Sequence, residues 1–323
     1  MAEIINISDD PSRALSRGCE VLARGLPVAI PTETVYGLAA DATNPEAVAR
    51  IYAAKGRPQF NPLICHVSDI GMARRLAVFD DASLRLAQAF WPGPLTLILP
   101  LAPESPIHPL ATAGLPTVGL RMPIGFAREL IAALDRPLAA PSANISGKVS
   151  PTSAAHVDDD LGDRIELILD GGVSPVGVES TILKIEGDTA WLLRPGGLAG
   201  EDIEAILGRK LKRRESAGAI EAPGMLASHY APKAPVRLDA TSVTEGEALI
   251  RFGPSAVAGE ANAVAIFDLS VAGDLREAAA NLFETLKNAD STGATAIAIT
   301  PIPPTGFGEA INDRLRRAAA PRG

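Results

Sequence analysis

The chain has 323 residues, 47% of them hydrophobic, and a formal net charge of −8 at pH 7. This length favours two domains, and the acidic balance disfavours a protein that grips a nucleic-acid backbone over a broad surface. No apolar run reaches about 18 residues without a charge or a proline, which excludes a membrane-spanning helix. The first residues lack the pattern of a secretory signal, and the two cysteines (Cys19 and Cys65) favour a reducing compartment, so we expect a cytoplasmic location.

The first part of the chain alternates predicted strands with predicted helices. Residues 27–31 predict a short buried strand, and the polar residues 32–37 follow it as a loop. Asn44 and Pro45 are typical of a helix start, and Gly56 is typical of a helix end. Further strands are predicted at 62–67, 95–99, 117–121 and 137–140, and further helices at 69–78, 81–90, 126–134 and from about 152.

Three later strands, at 164–169, 180–185 and 191–194, follow one another closely. Such close succession favours some antiparallel pairing, so we expect an α/β domain with a mixed sheet. Around Gly208 the composition changes to a basic run at 209–214 and then to small residues and prolines. This change is typical of a linker between domains.

The remainder of the chain predicts a second, smaller α/β domain of Rossmann-like alternation. Its strands are predicted at 236–238, 248–252, 264–269 and 294–299, and its helices at 274–288 and 308–319. The predicted division is therefore a first domain at 1–208, a linker at 209–235 and a second domain at 236–323.

Two distant segments carry the side chains of a phosphate site. Lys55-Gly56-Arg57-Pro58 places an ammonium and a guanidinium two residues apart at a turn, where both suit phosphate oxygens. Pro141-Ser142-Ala143-Asn144-Ile145-Ser146-Gly147 offers hydroxyl and amide groups between small residues that let the backbone approach a ligand. A nucleotide is therefore the first ligand that the sequence indicates.

Two common nucleotide motifs do not match the chain. Ser142 and Val149 stand where a P-loop needs Gly and then Ser or Thr, and no stretch spells the G-x-G-x-x-G dinucleotide motif. His66 by itself is typical of a structural histidine, and its neighbour Cys65 points to the opposite face of the predicted strand. Local sequence leaves Arg121 open between a salt bridge and ligand binding.

Several ordered motifs together identify a family. They are Pro31-Thr32-Glu33-Thr34-Val35-Tyr36-Gly37-Leu38, Lys55-Gly56-Arg57-Pro58 with Asn61-Pro62-Leu63, Pro141-Ser142-Ala143-Asn144 with Ser150-Pro151-Thr152, Glu179-Ser180-Thr181-Ile182, and Arg194-Pro195-Gly196. In this order they resemble the threonylcarbamoyl-AMP synthase family over nearly the entire chain. Pro223-Gly224-Met225, His229-Tyr230-Ala231-Pro232 and residues 306–317 are similar to the long form, which carries an additional C-terminal domain.

The resemblance implies a fold and a reaction. The fold is a YrdC-like twisted mixed sheet with helices around a large, positively charged cavity, followed by the smaller Rossmann-like domain. The reaction joins L-threonine, bicarbonate or CO₂, and ATP into threonylcarbamoyl-AMP with release of pyrophosphate. The product would serve the N6-threonylcarbamoyl modification of adenosine 37 in tRNA, which downstream transferase partners complete.

The resemblance also implies residue roles. Thr34, His66, Arg121 and Thr181 would bind threonine, with Arg121 pairing its carboxylate. The residues implied for ATP are Lys55, Arg57, Asn61, Thr117, Ser142, Asn144, Ser150, Arg194 and Tyr230, and the catalytic role falls to Lys55, Arg57 and Arg121. Displacement at phosphorus depends on alignment and charge neutralisation rather than on a covalent nucleophile. We expect Mg²⁺ to supply further positive charge, although no carboxylate cluster identifies its ligands.

The linker has a predicted role, and two alternative functions remain for the chain. A carbamate loses CO₂ readily in water, so we expect the linker with His229 and Tyr230 to close the site as a lid. One alternative function is an RNA-binding module of the same fold, with the basic run 209–214 assisting, although that run is more typical of a solvated linker. The other is a different adenylate-forming or carbamoyl-transfer enzyme on the same scaffold.

Overall fold

The computed structural model describes residues 1–58, 60–213, 222–223 and 230–321. Within these residues the first large sheet has the strand order β1-β8-β2-β3-β7-β4-β6-β5-β9-β10-β11. Its strands are β1 (Glu3–Asn6), β2 (Val28–Ile30), β3 (Gly37–Asp41), β4 (Ile64–His66), β5 (Leu95–Pro100), β6 (Thr117–Arg121), β7 (Leu138–Ala139), β8 (Leu167–Asp170), β9 (Thr181–Glu186), β10 (Thr189–Arg194) and β11 (Lys212–Arg213).

Helices surround this sheet and bury its apolar residues. They are α1 (Pro11–Ala23), α2 (Pro45–Lys55), α3 (Ile70–Leu76), α4 (Asp81–Phe90), α5 (Pro109–Thr112), α6 (Phe126–Leu134), α7 (Ala154–Leu161) and α8 (Gly200–Leu207). The strand pairs are both parallel, as between β4 and β6, and antiparallel, as between β5 and β6. The predicted α/β class with a mixed sheet is therefore confirmed.

Helix α2 shows how local sequence positions the site. The Asn44 side chain accepts hydrogen bonds from the backbone N–H groups of Glu46 and Ala47, and Gly56 ends the helix in the left-handed conformation. Lys55 is consequently the last helical residue, and Arg57 begins the following loop.

The second sheet has the strand order β12-β15-β13-β14 and only parallel pairs. Two helices pack on it, and a short 3₁₀ turn covers Glu260–Asn262. The elements are β12 (Val236–Arg237), β13 (Glu247–Phe252), β14 (Ala265–Ser270), β15 (Ala296–Ile299), α9 (Leu275–Ser291) and α10 (Phe307–Ala319). Parallel strands with packed helices confirm the predicted Rossmann-like alternation. No helix among the described residues combines the length and the apolar character needed to cross a bilayer.

Several described elements lie where the sequence predicts none, namely β1, β3, β11, α1, α5 and α8. Strand β3 has the sequence Gly-Leu-Ala-Ala-Asp, which lacks β-branched residues, and it is a strand because it pairs with β2 and β7. Strand β11 lies inside the predicted linker and pairs with β10, and Lys212 lies over the Trp191 ring at 5.6 Å. Part of the basic run therefore extends the first sheet. The domain boundaries at 208 and 235 stay a prediction.

Candidate functional site

A cavity lies where segments that follow β2, α2 and β7 meet the ends of β6, β9 and β10. It contains about 500 Å³ of empty space, part of it open to solvent. The described residues that line it are Thr34, Val35, Arg57, Ile64, His66, Arg121, Ala140, Pro141, Ser142, Glu179, Ser180, Arg194, Pro223 and Tyr230. They come from widely separated positions in the chain, as expected for a site at the ends of strands in an α/β sheet.

Lys55 holds one wall of the cavity in place. Its Nζ donates to the backbone oxygens of Ser142 and Asn144, each at 2.6 Å, and to Asn144 Oδ1 at 3.3 Å. The Asn144 amide in turn donates to the Lys148 backbone oxygen at 2.8 Å. Burial and the nearby Arg57 charge lower the pKa of Lys55 well below its ordinary value, whereas three acceptor oxygens match the three hydrogens of an ammonium. Lys55 therefore joins the two predicted phosphate segments directly.

The loop after β2 supports the same wall from the other side. The Tyr36 backbone oxygen accepts from the Ala143 N–H at 2.8 Å, and the Tyr36 N–H donates to the Pro151 oxygen at 2.9 Å. The Tyr36 hydroxyl donates to the Gly172 oxygen at 2.7 Å. The motif that contains Thr34 is thus fastened to the motif that contains Ser142.

Two buried guanidinium groups lie in the part of the cavity nearest Tyr230. Arg57 donates through Nε to the Asn61 backbone oxygen at 3.3 Å and through Nη2 to the Pro62 oxygen at 3.0 Å. Burial lowers the pKa of Arg57 to about 10, and the positive charge of Arg194 contributes to that decrease. Two like charges close together are favourable partners for an anion, although Glu179 offsets part of the Arg194 charge.

Arg194 is held by a close approach of two backbone segments. Its Nη2 donates to the Ser180 backbone oxygen at 2.9 Å, and its Nη1 donates to the Pro223 oxygen at 3.3 Å. A Cβ on Gly196 would lie 2.3 Å from the Glu179 oxygen, so only glycine fits there. This explains the Arg194-Pro195-Gly196 motif physically, because the glycine lets the end of β10 reach the segment before β9.

A second set of polar side chains lies around His66. Among the described residues, neither buried ring nitrogen of His66 has a hydrogen-bond partner of good geometry, and the ring lines the cavity. Burial and the nearby Arg121 lower the pKa of His66 to about 3, so the imidazole is neutral near pH 7. The Thr34 hydroxyl lies 2.9 Å from that of Thr32, and either one is the donor. A buried polar ring without a partner is typical of a ligand contact.

Arg121, beside His66, faces a protein carboxylate. Its Nη2 lies 2.7 Å from Glu33 Oε1, but neither atom makes a hydrogen bond of good geometry. Glu33 Oε2 accepts from the Ile124 N–H at 3.2 Å. Arg121 therefore forms the salt bridge that the sequence left open, and the same side chain also lines the cavity.

Comparison with known proteins identifies the family of this chain. The family model described as "Telomere recombination" matches residues 20–196, and the one described as "Threonylcarbamoyl-AMP synthase, C-terminal domain" matches residues 198–320. The threonylcarbamoyl-AMP synthase of Bacillus subtilis is 41% identical over 331 residues, which cover 98% of this chain and 95% of the relative. That of Pyrococcus abyssi is 42% identical over 325 residues, covering 93% and 92%. The crystal structure of P. abyssi Sua5 complexed with L-threonine has a TM-score of 0.88 and 37% identity, with 98% of both chains covered.

This chain belongs to the threonylcarbamoyl-AMP synthase family. The predicted family, the two-part α/β fold and the predicted nucleotidyltransferase activity, synthesis of threonylcarbamoyl-AMP, are thereby confirmed. The RNA-binding module is not favoured, since the relatives that span nearly the full chain are synthases.

The structure brings part of the predicted synthase site together at the cavity surface. Thr34, Arg57, His66, Arg121, Ser142, Arg194 and Tyr230 line it, whereas Lys55, Asn61, Thr117, Asn144, Ser150 and Thr181 are not among the lining residues. Thr181 Oγ1 instead donates to the Leu198 backbone oxygen at 2.6 Å. Asn61 Oδ1 is buried and has no hydrogen-bond partner in the described part of the chain. His229 lies outside the described residues.

Sequence reasoning missed Glu179 and Ser180 as individual lining residues. Ser150 Oγ donates to Glu179 Oε1 at 2.6 Å, and Ser180 Oγ lies 2.7 Å from Thr96 Oγ1. Their position in the motif Glu179-Ser180-Thr181-Ile182, on which the family resemblance partly rests, could have predicted that they line the site. Among the described residues, no group of three or more His, Cys, Asp or Glu side chains is placed to hold a metal ion.

Proposed function

We propose that this cavity binds L-threonine and ATP side by side and joins them through a carboxylate carbon derived from bicarbonate or CO₂. The lining contains three arginines, Arg57, Arg121 and Arg194, and one glutamate, Glu179, among the described residues. His66 adds no positive charge near pH 7 because its pKa lies at about 3. This excess of buried positive charge is the observation that carries the proposal, since a triphosphate and an amino-acid carboxylate are both anions.

The charged lining residues form two groups, one at each end of the cavity. Arg121 and His66 interact electrostatically at one end, where we place threonine with Thr34. Arg57 and Arg194 interact at the other end, where we place the phosphates of ATP with Ser142 and Tyr230 nearby. Arg121 would pair the threonine carboxylate, and His66 would contact its polar side chain through a neutral ring nitrogen. Thr181, which holds Leu198, is proposed to support this end rather than to touch the ligand.

The chemistry that this arrangement supports has two steps. The neutral amine of threonine attacks the carbon of bicarbonate or CO₂ and forms a carbamate. Water leaves when bicarbonate is the donor, and a proton passes to solvent when CO₂ is the donor. A carbamate oxygen then attacks the α-phosphorus of ATP, and the bond to the bridging oxygen of pyrophosphate breaks. Arg57 and Arg194 would neutralise charge on the phosphate oxygens, and the rigid loop held by Lys55 would align the reactants.

The lining residues do not fit a resident metal ion. Glu179, the carboxylate of the lining, accepts hydrogen bonds from Ser150 and Arg314. We therefore propose that any Mg²⁺ arrives as the companion of ATP, held mainly by phosphate oxygens and water. Four residues assigned to ATP contact lining residues from behind, and we propose that they shape this end of the site: Lys55, Asn61, Asn144 and Ser150. Thr117 begins β6, opposite Pro100, and its role toward ATP stays a proposal.

We further propose that the chain divides into domains at residues 208 and 235 and that the linker between them closes the site as a lid. We also propose a cytoplasmic location. The adenylate would pass to a tRNA threonylcarbamoyl-transferase, because a carbamoyl-adenylate is an activated donor that needs an acceptor amine. Weak RNA contact by the basic residues near 209–213 is a further part of the proposal.

One assay tests the proposed function. The purified full chain is incubated with ATP, labelled bicarbonate and each amino acid in turn, and labelled adenylate is measured by chromatography. We expect product only with threonine or its close analogues, a strong decrease in Arg121→Gln and normal product in Lys148→Ala, an exposed control. A labelled adenylate that forms without an amino acid, or carbamoyl phosphate acting in place of bicarbonate, would contradict the proposal.

A further inference from the structure

Among the described residues, Arg314 of α10 is a charged side chain of the second domain that contacts the cavity lining. The guanidinium is fully buried, and its Nε donates to Glu179 Oε2 at 2.7 Å across 135 positions of sequence. The other oxygen of Glu179 accepts from Ser150 at 2.6 Å. One carboxylate of the cavity lining therefore links a helix of the second sheet to a residue that the family resemblance assigns to ATP.

Arg314 also contacts Tyr230, another lining residue. The guanidinium carbon lies 5.2 Å from the centre of the Tyr230 ring, and that ring stacks on Phe283 of α9 with centroids 5.5 Å apart. Arg314 Nη1 donates to Asp313 Oδ2 at 2.6 Å, which fixes the guanidinium from its own helix. The orientation of Arg314 is thus set by several contacts, and it contacts two different cavity residues.

The backbone leading to Glu179 is pressed against the second domain. Gly177 has a φ of +75°, and a Cβ there would lie 2.4 Å from both the Ala279 backbone oxygen and Ala280 Cα. The residue after Glu179 is Ser180, whose backbone oxygen holds Arg194. A displacement of Glu179 would therefore move a direct partner of Arg194.

The charges are consistent with this coupling. Burial raises the pKa of Glu179, but Arg314 and Arg194 outweigh burial and hold that pKa at about 2. Without Arg314, burial would be opposed by Arg194 and Ser150 alone, and the pKa of Glu179 would rise. An ion pair between Arg213 and Glu309 also joins the two parts of the chain, and neither residue is among the leading influences on the pKa of Glu179.

We propose that Arg314 is a positioning residue of the synthase, which fixes Glu179 and Tyr230 so that Ser150 and Arg194 are aligned for the nucleotide. The second domain then supplies part of the active site, in addition to any role in closing it. This inference rests on the proposed function of the cavity. It differs from a merely structural tether because a tether would affect folding stability without a selective effect on ATP.

The test compares three full-length variants. We expect Arg314→Met to raise the KM for ATP about tenfold or more, as for loss of a charge-assisted contact, with the KM for threonine within about twofold of the unaltered chain. The pH profile of kcat/KM should gain an acid limb in Arg314→Met as Glu179 becomes protonatable. Arg314→Lys should recover part of both effects, and Glu309→Gln, which breaks the other ion pair, should change neither.

Other outcomes decide against the inference. An unchanged ATP KM and pH profile in folded Arg314→Met would overturn it, and so would equal losses in Arg314→Met and Glu309→Gln. If Arg314→Met does not fold, Glu179→Gln replaces it, and an unaltered ATP KM in that variant overturns the inference. Two measurements separate the two proposals. Absence of adenylate formation by the unaltered chain contradicts the proposed function. An equal Kd for ATP, measured by calorimetry with and without Arg314, contradicts the positioning role.

Discussion

Arg121, a residue of the cavity lining, has its Nη2 2.7 Å from Glu33 Oε1, and both side chains are almost excluded from solvent. The pair lacks hydrogen-bond geometry, so the guanidinium retains donors that a ligand carboxylate can use. If Arg121 pairs the threonine carboxylate as we propose, Glu33 competes with that carboxylate for the same cation.

Two substitutions at this pair are expected to act in opposite directions. Arg121→Gln should raise the KM for threonine by about 10-fold to 100-fold, as for loss of a hydrogen bond between charged groups. Glu33→Gln should lower it, because the competing negative charge is removed while an oxygen remains for the Ile124 N–H. Steady-state kinetics at saturating ATP measure both. An increase of the threonine KM in Glu33→Gln would show that the carboxylate assists binding and would refute the competition.

Loss of Lys55 is expected to reduce catalysis through the loop that it holds. Lys55→Ala removes the donor to Ser142 and Asn144, and we expect at least ~2 kcal/mol less transition-state stabilisation, comparable to removal of one preorganised electrostatic group. Arg57→Ala should have an effect of the same order, through the phosphates directly. Pyrophosphate release is the measurement, with Lys148→Ala as the control. Full pyrophosphate release by either Lys55→Ala or Arg57→Ala would remove that residue from the catalytic set.

Sequence predicted best those features that short-range chemistry determines. Helix α2 was predictable because Asn44 and Gly56 are caps whose conformations depend on their immediate neighbours. Strand β3 was not predictable, since it has small residues and becomes a strand through pairing with β2 and β7. The same limit applies at the site, where the motifs indicated a phosphate-binding site but gave no sign that Lys55 binds protein oxygens.

Long-range partners could not be predicted at all. Glu179 and Arg314 are 135 positions apart; Glu179 precedes β9 of the first sheet and Arg314 lies in α10, so their contact depends on how the second domain packs. Val35 and Val178 likewise pack in one apolar cluster with Phe283 and Leu282 of α9. Local patterns contain no information about such packing, and only the tertiary structure shows that Arg314 contacts Glu179 and Tyr230 of the cavity lining.

Removal of residues from about 209 onward tests the lid hypothesis. The truncated chain loses Arg314 and Tyr230, which opens the cavity and leaves Glu179 without its strongest partner. We expect more ATP turnover without product, or a lower yield of threonylcarbamoyl-AMP, because water reaches the carbamate. Circular dichroism and thermal melting establish whether the truncated chain is folded. An unchanged yield from a folded truncated chain would contradict the lid.

The neutral state of His66 predicts a specific pH dependence of stability. Its pKa is about 3 in the folded protein and about 6.5 when unfolded, so the unfolded chain binds a proton first as the pH falls. Stability from this residue is therefore complete above pH 6.5 and decreases progressively below it. Between pH 7 and pH 5 the loss attributable to one such histidine is about 2 kcal/mol of unfolding free energy.

The measurement is urea denaturation of the unaltered chain and of His66→Gln at pH 7 and pH 5. The variant should lose about 2 kcal/mol less over this interval, since glutamine does not titrate. His108, His156 and His229 are present in both proteins, so their contributions cancel in the difference. Equal losses in the two proteins would mean that His66 has the same pKa in the folded and unfolded states. The lowered pKa of His66 in the folded protein, and the claim that burial and Arg121 cause it, would then be wrong.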